Sequence, residues 1–319
     1  MAMQFSVVLP HGPLNELAGI TDPIEAYETL TRLAQAIDEA GFSTIWLSDV
    51  LWPGDPSAGP EAAQNFLFEC WTSTAALARD TKRVRIGQTV TYAGLRNPAL
   101  LAKMASTVDV LSHGRLTVGI GSGSPALSEQ FRAYGYDYPE LGVRSRQLRE
   151  VIQILLAMWT QEEATFEGTY YQVRGAINQP KGVQRPHIPL LIGGNGEQAT
   201  LKLVAQYGDA CNVFGDPATL EHKFAVLKQH CETVGRDYQS IRRAAGTYCV
   251  MADTDEQALA SIPDTIRTFF GEWALIGSPA TIHERIAAFE RAGVQELSLR
   301  FPQIGRLDTI QRFAQEFIL

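Results

Sequence analysis

Short apolar runs alternate with longer amphipathic stretches along the whole chain. Each run is followed by a polar or glycine-rich patch, and then by a segment with apolar residues three and four positions apart. Eight such units can be counted. Their predicted strands are residues 5–9, 44–48, 84–87, 116–120, 189–192, 210–213, 247–251 and 296–300. This alternation of strand and helix is typical of a parallel α/β fold.

The predicted helices between these strands share a common ending. Three of them are followed by Gly41, Gly208 or Gly293, with a strand a few residues later. Glycine just past the last helical residue favours a left-handed cap. These tight returns occur from one end of the chain to the other without a Pro/Ser/Gly-rich linker, so we expect a single domain over residues 1–319. Eight strands with eight helices most economically form a (β/α)8 TIM barrel, and a doubly wound open sheet is the alternative.

The spacing of the predicted strands is uneven, and the extra residues have definite places. They fall at residues 52–66, 124–143 and 253–277, after strands two, four and seven. Each follows the C-terminal end of a strand, the face on which barrel enzymes build their sites. Glycine, proline and aromatic residues in these insertions suit loops that cover a planar ligand. The alternative is that these insertions are ordinary surface loops without a role in binding.

Charge and cysteine usage exclude several classes of protein. The chain has 27 Lys+Arg against 35 Asp+Glu, a net charge of −8, and no basic cluster, which argues against nucleic-acid binding. Charged residues recur throughout, so no membrane span is expected, and the first residues lack a basic signal-peptide region, which favours a cytoplasmic protein. The four cysteines lie far apart without CxxC spacing, so we expect buried thiols and no metal site.

The strongest local signal is a buried strand that runs into a glycine-rich turn and then a helix. The turn contains Gly193, Gly194, Asn195, Gly196 and Glu197. Glycines let the backbone approach an anion closely, and the N–H groups of a first helical turn point at it. The segment lacks the GK[ST] ending of a nucleotide triphosphatase loop. It therefore predicts a phosphate cradle, with a tight turn that binds no ligand as the alternative.

A second glycine-rich segment follows the fourth predicted strand. Residues 119–124, which include Gly121, Ser122 and Ser124, resemble a dinucleotide-binding fingerprint only weakly, because the third glycine is absent at the required place and the segment lies in the middle of the chain. At the end of a barrel strand, the small side chains would instead leave room for a flat ring. Nucleophilic motifs such as GxSxG or HExxH are absent from the sequence. Among six histidines, His11 follows a strand, so it is a candidate for catalysis or substrate binding, with loop capping as the alternative.

Taken in order, these segments resemble the luciferase-like flavin-dependent oxidoreductase superfamily over essentially the whole chain. The resemblance is carried by residues 41–49, 96–103, 109–115, 119–123, 166–171, 192–197 and 277–279. A further set is most similar to the branch that uses the deazaflavin coenzyme F420, with FMN as the alternative. That set comprises residues 185–187, 207–212, 230–232 and 235–237.

The resemblance implies how such a coenzyme would be bound. The ring would lie over the strand ends, with its phosphate at the helix that starts near Gly196. The third strand of the family ends in a bulge with a non-prolyl cis peptide, and the matching pair here is Thr89–Val90. This bulge would bend the ring and leave its other face to the substrate. Asp49, Val50 and Thr91 are the remaining implied contacts, and a homodimer through the second and third helices is implied as well.

Two positions depart from the pattern of F420-dependent dehydrogenases in the superfamily. The resemblance implies a histidine immediately after Asp49 and a glutamate just after the fourth strand's glycines, but this chain has Val50 and Ser124 there. Acid–base help would then have to come from residues such as His11, Asp49 or Tyr92. A fourth candidate, Glu69, is better explained as a helix cap or an ion-pair partner.

Together these observations predict an oxidoreductase that transfers a hydride between F420 and a hydrophobic organic substrate. The reaction would be the reduction of a C=C or C=N bond or its reverse. Val50 and the aromatic loops suggest the substrate class. One alternative is an FMN-dependent monooxygenase that uses oxygen and receives reduced flavin from a separate reductase. Another is a flavin-binding protein without turnover, suggested by the two missing acid–base positions.

Overall fold

A computed structural model describes residues 3–10, 17, 20–52, 66–262, 273–302 and 307–319. Its central feature is a closed barrel of eight parallel strands. They are β1 (Gln4–Val8), β2 (Thr44–Leu47), β3 (Arg85–Gln88), β5 (Leu116–Gly121), β8 (Leu190–Gly193), β9 (Ala210–Val213), β10 (Arg242–Met251) and β12 (Glu296–Arg300). They pair in this order, and β12 closes the ring by pairing with both β10 and β1. The predicted (β/α)8 TIM barrel is confirmed.

Helices follow the strands and surround the barrel. They are α1 (Pro23–Glu39), α2 (Cys70–Asp80), α3 (Pro98–Leu111), α4 (Ser128–Ala133), α5 (Leu141–Thr160), α6 (Thr200–Tyr207), α7 (Pro217–Val234), α8 (Asp255–Ala260), α9 (Pro279–Arg291) and α10 (Leu307–Phe317). Four of them begin with proline after a capping side chain, which is Asp22, Asn97, Asp216 or Ser278. Such a cap satisfies a free N–H group, and proline is pre-set for the first helical position.

The core has two layers. An inner cluster of Val8, Trp46, Leu191 and Ala210, with Val90 packed against it, lies inside the barrel. A larger outer cluster joins the outward faces of the strands to the helices. Strands β2, β5 and β9 are buried at every position, as expected for strands covered on both faces.

Details of the predicted elements were wrong in three places. The seventh strand begins at Arg242 instead of Thr247, and a hairpin of β6 (Ala164–Glu167) and β7 (Gln172–Ala176) was not predicted. Gly41 and Gly293 adopt the left-handed conformation, with φ of +83° and +91°, whereas Gly208 is extended. At Gly208 the constraint is space instead: a Cβ there would lie 3.2 Å from the backbone of Val204, a tight contact.

The predicted insertions lie at the C-terminal ends of the strands. The one after the fourth barrel strand contains a short 3-10 turn at Pro125–Leu127 and α4. The one after the seventh contains α8 and β11 (Leu275–Gly277), which extends the sheet beside β10, while residues 263–272 lie outside the described part. Of the insertion after the second strand, residues 53–65 lie outside it too. The remaining short strand, β4 (Thr91–Tyr92), pairs with β5.

Two predictions from composition agree with the structure. All four cysteines are free and buried. No helix within the described ranges has the length and apolar character needed to span a bilayer.

Candidate functional site

A cavity of about 590 Å³ opens at the C-terminal ends of the barrel strands. This volume lies in the range of small-molecule and cofactor sites. Its walls bring together the strand ends and the loops that follow them. The lining residues are Val8, Leu9, Ser48, Asp49, Val50, Thr89, Val90, Tyr92, Gly121–Pro125, Leu127, Leu141, Ser145, Gly193–Gly196, Ala199, Thr200, Asn212, Phe214, Tyr248 and Arg300.

One wall is a bulge between β3 and β4. The Thr89–Val90 peptide is cis, as the resemblance implied. The Val90 side chain lies over the ends of two neighbouring strands. A Cβ at Gly121 would lie 2.8 Å from Val90 Cγ2, and one at Gly193 would lie 2.7 Å from Val90 Cγ1. Glycine at these two positions therefore makes room for Val90, which presents an apolar surface to the cavity.

The glycine-rich turn after β8 forms the second wall. Gly194 has a φ of +133°, a conformation that L side chains rarely adopt, and α6 begins at Thr200, four residues later than Gly196. The side chain of Asn195 is engaged elsewhere: it donates to the carbonyl of Phe214 (2.7 Å) and accepts from its N–H (2.9 Å). Within the described ranges, the N–H groups of residues 195–200 have no backbone acceptor. This geometry fits a phosphate, which backbone N–H donors and the Thr200 hydroxyl would hold.

Glu197 points away from this turn. Its carboxylate accepts hydrogen bonds from Lys223 Nζ (2.5 Å) and His222 Nε2 (3.1 Å) of α7. The bond from Lys223 lowers the pKa of Glu197. Glu197 and Thr91, both predicted to contact the cofactor, are not among the described residues that line the cavity. The other predicted cofactor contacts do line it.

Asp49 lies at the cavity wall, but its carboxylate is occupied. Arg96 binds it through both nitrogens of the guanidinium group, at 2.5 and 3.1 Å, and the hydroxyl of Thr91 donates to it as well. The Asp49 side chain is 1% exposed. A buried carboxylate that is paired in this way is favoured as a structural anchor.

Arg96 joins this anchor to α2. It also binds Glu69, which caps α2 by accepting from the N–H of Thr72 (2.6 Å). Burial lowers the pKa of Arg96, but Asp49 and Glu69 outweigh this effect and raise it above its ordinary value. Burial raises the pKa of Glu69. Its hydrogen bonds to Thr72 and the charge of Arg96 outweigh this effect, so the pKa lies below its ordinary value. The expectation that Glu69 acts as a cap and ion-pair partner is confirmed.

Tyr92 lies in an aromatic cluster at the cavity edge. Its ring stacks on Phe131 at 5.0 Å and contacts Tyr138 at 5.3 Å, and Arg144 lies 4.1 Å from the ring of Tyr138. Burial, followed by the charge of Tyr138, raises the pKa of Tyr92 to about 12. The phenol therefore stays protonated near neutral pH, where it can donate a hydrogen bond and is not a base.

The remaining predicted residues fall into two groups. Val50, Ser122 and Ser124 line the cavity, so the two positions that depart from the family pattern do face the site. His11 lies outside the described residues. Groups of three or more side chains able to hold a metal ion do not occur in the described part of the chain.

Several lining residues were not predicted. Asn212, Phe214, Tyr248 and Arg300 come from the ends of β9, β10 and β12. The available signal was positional for three of them, because Asn212, Phe214 and Arg300 stand within one residue of the end of a predicted strand. Tyr248 lies near the start of its predicted strand and had no such signal. Ser145 lines the cavity from α5, and nothing in the local sequence indicates this.

Comparisons with known proteins agree with this architecture. The family described as luciferase-like monooxygenase matches residues 3–272. An F420-dependent glucose-6-phosphate dehydrogenase of Microbacterium testaceum is 35% identical over 166 residues, which is 51% of this chain and 46% of that protein. The oxygenase component of a flavin-dependent trigonelline monooxygenase of Acinetobacter baylyi is 26% identical over 78% of this chain and 66% of that protein.

A solved structure extends the similarity of fold to the whole chain. An F420-dependent secondary alcohol dehydrogenase, in complex with an F420-acetone adduct, superposes with a TM-score of 0.77. It is 19% identical, and the match covers 99% of this chain and 98% of that one. The curated relatives are matched over less of their length: the chain spans 46% to 66% of them.

Proposed function

The chain belongs to the luciferase-like monooxygenase family, and on that premise we propose that it is an oxidoreductase that transfers a hydride between coenzyme F420 and an apolar organic substrate. The main support for the proposal is that one cavity contains both the glycine-rich turn after β8 and the bulge that carries Val90. The cradle of residues 194–200 suits a phosphate, and the apolar surface of Val90 suits a flat ring. The relatives named as F420-dependent support the deazaflavin over FMN.

The protein's part in such a reaction is to bind and orient. When bound, the deazaflavin supplies or accepts the hydride. Val90 would support one face of the ring, so that the substrate meets the other face in a fixed orientation. The apolar side chains of Val8, Leu9 and Val50 would exclude water from the reacting atoms.

Reduction of a C=C or C=N bond consumes one hydride and one proton. Tyr92 lines the cavity, and its raised pKa keeps the phenol neutral near neutral pH, so that it can donate a hydrogen bond but is a weaker acid than an ordinary tyrosine. We assign Tyr92 the role of hydrogen-bond donor to the second substrate atom, which takes its proton from solvent. Asp49 is assigned a structural role, because Arg96 and Thr91 occupy its carboxylate.

A second candidate function is oxygen-dependent monooxygenation with reduced FMN from a separate reductase. It is favoured by the A. baylyi relative, which aligns with 78% of this chain. The two functions differ in their dependence on oxygen. A monooxygenase turns over only in its presence, whereas hydride transfer between F420 and a substrate proceeds under argon.

Titration of the purified protein with F420 and FMN, each oxidised and reduced, tests the proposal directly. Binding is followed by the fluorescence of the ligand. We expect micromolar affinity for F420. Micromolar binding of FMN together with no binding of F420 would overturn the deazaflavin assignment and favour the second candidate.

A pair of matched variants tests the cradle. Thr200→Val replaces the hydroxyl at the cavity with a methyl group of similar size, and we expect about a fivefold loss of cofactor affinity, on the scale of one hydrogen bond. Thr233→Val makes the same change on the exposed surface of α7 and should leave the affinity unchanged. Equal effects of the two variants would contradict the cradle.

The assembly and location of the protein are also proposed. We expect a cytoplasmic homodimer formed through α2 and α3. Leu100 and Val110 on α3 support this, since their side chains are 55% and 37% exposed. Light scattering after gel filtration measures the mass, and Leu100→Glu should shift it toward the monomer.

A further inference from the structure

Arg300 places a positive charge in a cavity that is otherwise mostly apolar. It is the last residue of β12, it is half-buried, and its side chain lines the cavity. In the described part of the chain, the guanidinium has no hydrogen-bond or ion-pair partner. A half-buried arginine without a partner can bind an anion, because the guanidinium offers five hydrogen-bond donors in a planar fork.

The charge of Arg300 is not offset by the other charged residue at the wall. Asp49 and Arg300 are the charged side chains among the described lining residues, and Arg96 already neutralises Asp49. The cavity is therefore locally positive in a chain whose net charge is −8. A concave site with one uncompensated charge attracts ligands of the opposite sign.

The position of Arg300 separates it from the proposed cofactor phosphate. The cradle follows β8 and the bulge follows β3, whereas β12 lies three strands from β8 around the ring and three strands from β3 on its other side. In the sheet register, Arg300 pairs with Tyr248 of β10. Both side chains line the cavity, so a cation and a phenol stand side by side on the wall across from the bulge.

The surface beside Arg300 is apolar and aromatic. Gly246 precedes Tyr248 by two residues in β10, and a Cβ at Gly246 would lie 2.6 Å from the ring of Phe214. Phe214 thus lies across the inner face of β10 and lines the cavity, with 36% of its surface exposed. An aromatic face next to an arginine fork matches a molecule with an apolar body and a carboxylate at one end.

We propose that Arg300 binds the carboxylate of the organic substrate, so that the substrate class is an apolar carboxylic acid and not a neutral hydrophobic molecule. The inference rests on the proposed function, since it places the substrate on the face of the ring opposite Val90. It adds a residue that selects the substrate by charge. Bidentate pairing would also fix which bond of the substrate faces the ring.

A matched pair of probes tests the proposal without knowledge of the natural substrate. Cinnamate and cinnamamide share an apolar, unsaturated body and differ in charge. Their affinities are measured by calorimetry, with saturating F420 or FMN, whichever binds. We expect cinnamate to bind at least about tenfold more tightly, the scale of a charge-assisted pair that is partly shielded from water. Equal affinities would overturn the assignment.

Variants of Arg300 identify the group responsible. Arg300→Met should abolish the preference for the carboxylate, and Arg300→Lys should keep part of it. Arg32→Met, which removes a cation from the exposed face of α1, is the control and should keep all of it. If Arg300→Met instead lowers cofactor affinity and keeps the preference, Arg300 binds the cofactor and the proposal is wrong. A wild-type protein that binds neither F420 nor FMN would refute the proposed function, and the probe comparison, repeated without cofactor, would still report on Arg300.

Discussion

At the scale of single residues, Asp38 shows how one carboxylate holds a connection in place. This buried residue near the end of α1 accepts hydrogen bonds from the N–H groups of Lys82, Arg83 and Val84, at 2.9, 2.9 and 2.6 Å. Burial raises the pKa of Asp38, but the three backbone bonds outweigh it and lower the pKa below its ordinary value of 3.8. The carboxylate thus links α1 to the start of β3.

This lowered pKa predicts a pH-dependent stability. A carboxylate whose pKa is lower in the folded state stabilises it above the unfolded pKa, and the effect is lost as the pH falls through the folded value. Asp38→Asn should therefore lower the free energy of unfolding by about 2 kcal/mol at pH 7, and by progressively less below about pH 4. Urea unfolding between pH 7 and pH 3 measures this. Glu28→Gln, on the exposed face of α1, is the control, and a loss for Asp38→Asn that does not change with pH would contradict the account.

The pair of Asp49 and Arg96 leads to an asymmetric prediction. Arg96→Met leaves a carboxylate that is 1% exposed without its cation, and should cost about 3–5 kcal/mol of folding free energy. Asp49→Asn should cost less, because Arg96 keeps Glu69 as a partner. Thermal and urea unfolding compare the two.

Arg32→Met provides the reference for this comparison. It breaks an ion pair with Glu25 whose side chains are half exposed, and should cost at most about 1 kcal/mol. If Asp49→Asn leaves the stability unchanged but abolishes turnover, the structural role is wrong and Asp49 is again a catalytic candidate.

The roles of the residues at the site could be predicted only in part from the sequence. The glycines that end β5 and β8 indicated close approach, and the structure shows that Val90 approaches them. Whether a polar side chain is free was not readable. Asn195, Glu197 and Asp49 all looked available, yet each is bound to a residue distant in the chain. Such partners depend on the fold and leave no local pattern.

At the scale of elements, the bulge after β3 and the glycines of its neighbours form one packing unit. A Cβ at Gly193 would meet a side-chain methyl group, Val90 Cγ1, at 2.7 Å. A Cβ at Gly119 would overlap the backbone oxygen of Gln88. The two glycines therefore differ in whether a second substitution can relieve the clash.

A double-mutant cycle measures this difference. Gly193→Ala should destabilise the protein by about 1–3 kcal/mol, the cost of overpacking, and Val90→Ala in the same chain should recover part of that loss. Gly119→Ala should cost more and should not be relieved by Val90→Ala. The free energies of unfolding of the single and double variants give the coupling. Additive effects at Gly193 would show that Val90 does not fill the space above it.

The elements themselves were largely predictable because a barrel strand is a short, continuous apolar run. The eight predicted strands all occur, seven of them within one residue at both ends. The seventh was predicted to start too late, since Arg242 and Arg243 open it. Arg243 is buried by bonding to the carbonyl of Gly293 at 3.0 Å, and Arg242 lies 3.0 Å from Glu296. The β6–β7 hairpin was missed because its strands are half exposed and lack a clear alternation.

At the scale of the whole molecule, the cavity exists because the barrel is closed. Its walls come from the ends of β3, β8, β10 and β12, which lie on different sides of the ring. A ligand that contacts several of these strands binds the folded barrel and not the unfolded chain. Cofactor binding should therefore stabilise the protein against global unfolding, by an amount set by the ratio of ligand concentration to Kd.

This linkage gives the last prediction. At one hundred times its Kd, F420 should add about 2.7 kcal/mol to the free energy of unfolding, which corresponds to a rise in Tm of about 4 °C in a chain of this size. The phosphate-free deazaflavin core at the same concentration should raise Tm by much less, because it lacks the phosphate that the N–H groups of residues 194–200 would bind. Thr200→Val should narrow the gap between the two ligands, since the hydroxyl contributes to the cradle but not to the ring contacts. Equal shifts from F420 and its phosphate-free core would mean that the glycine-rich turn does not bind the phosphate.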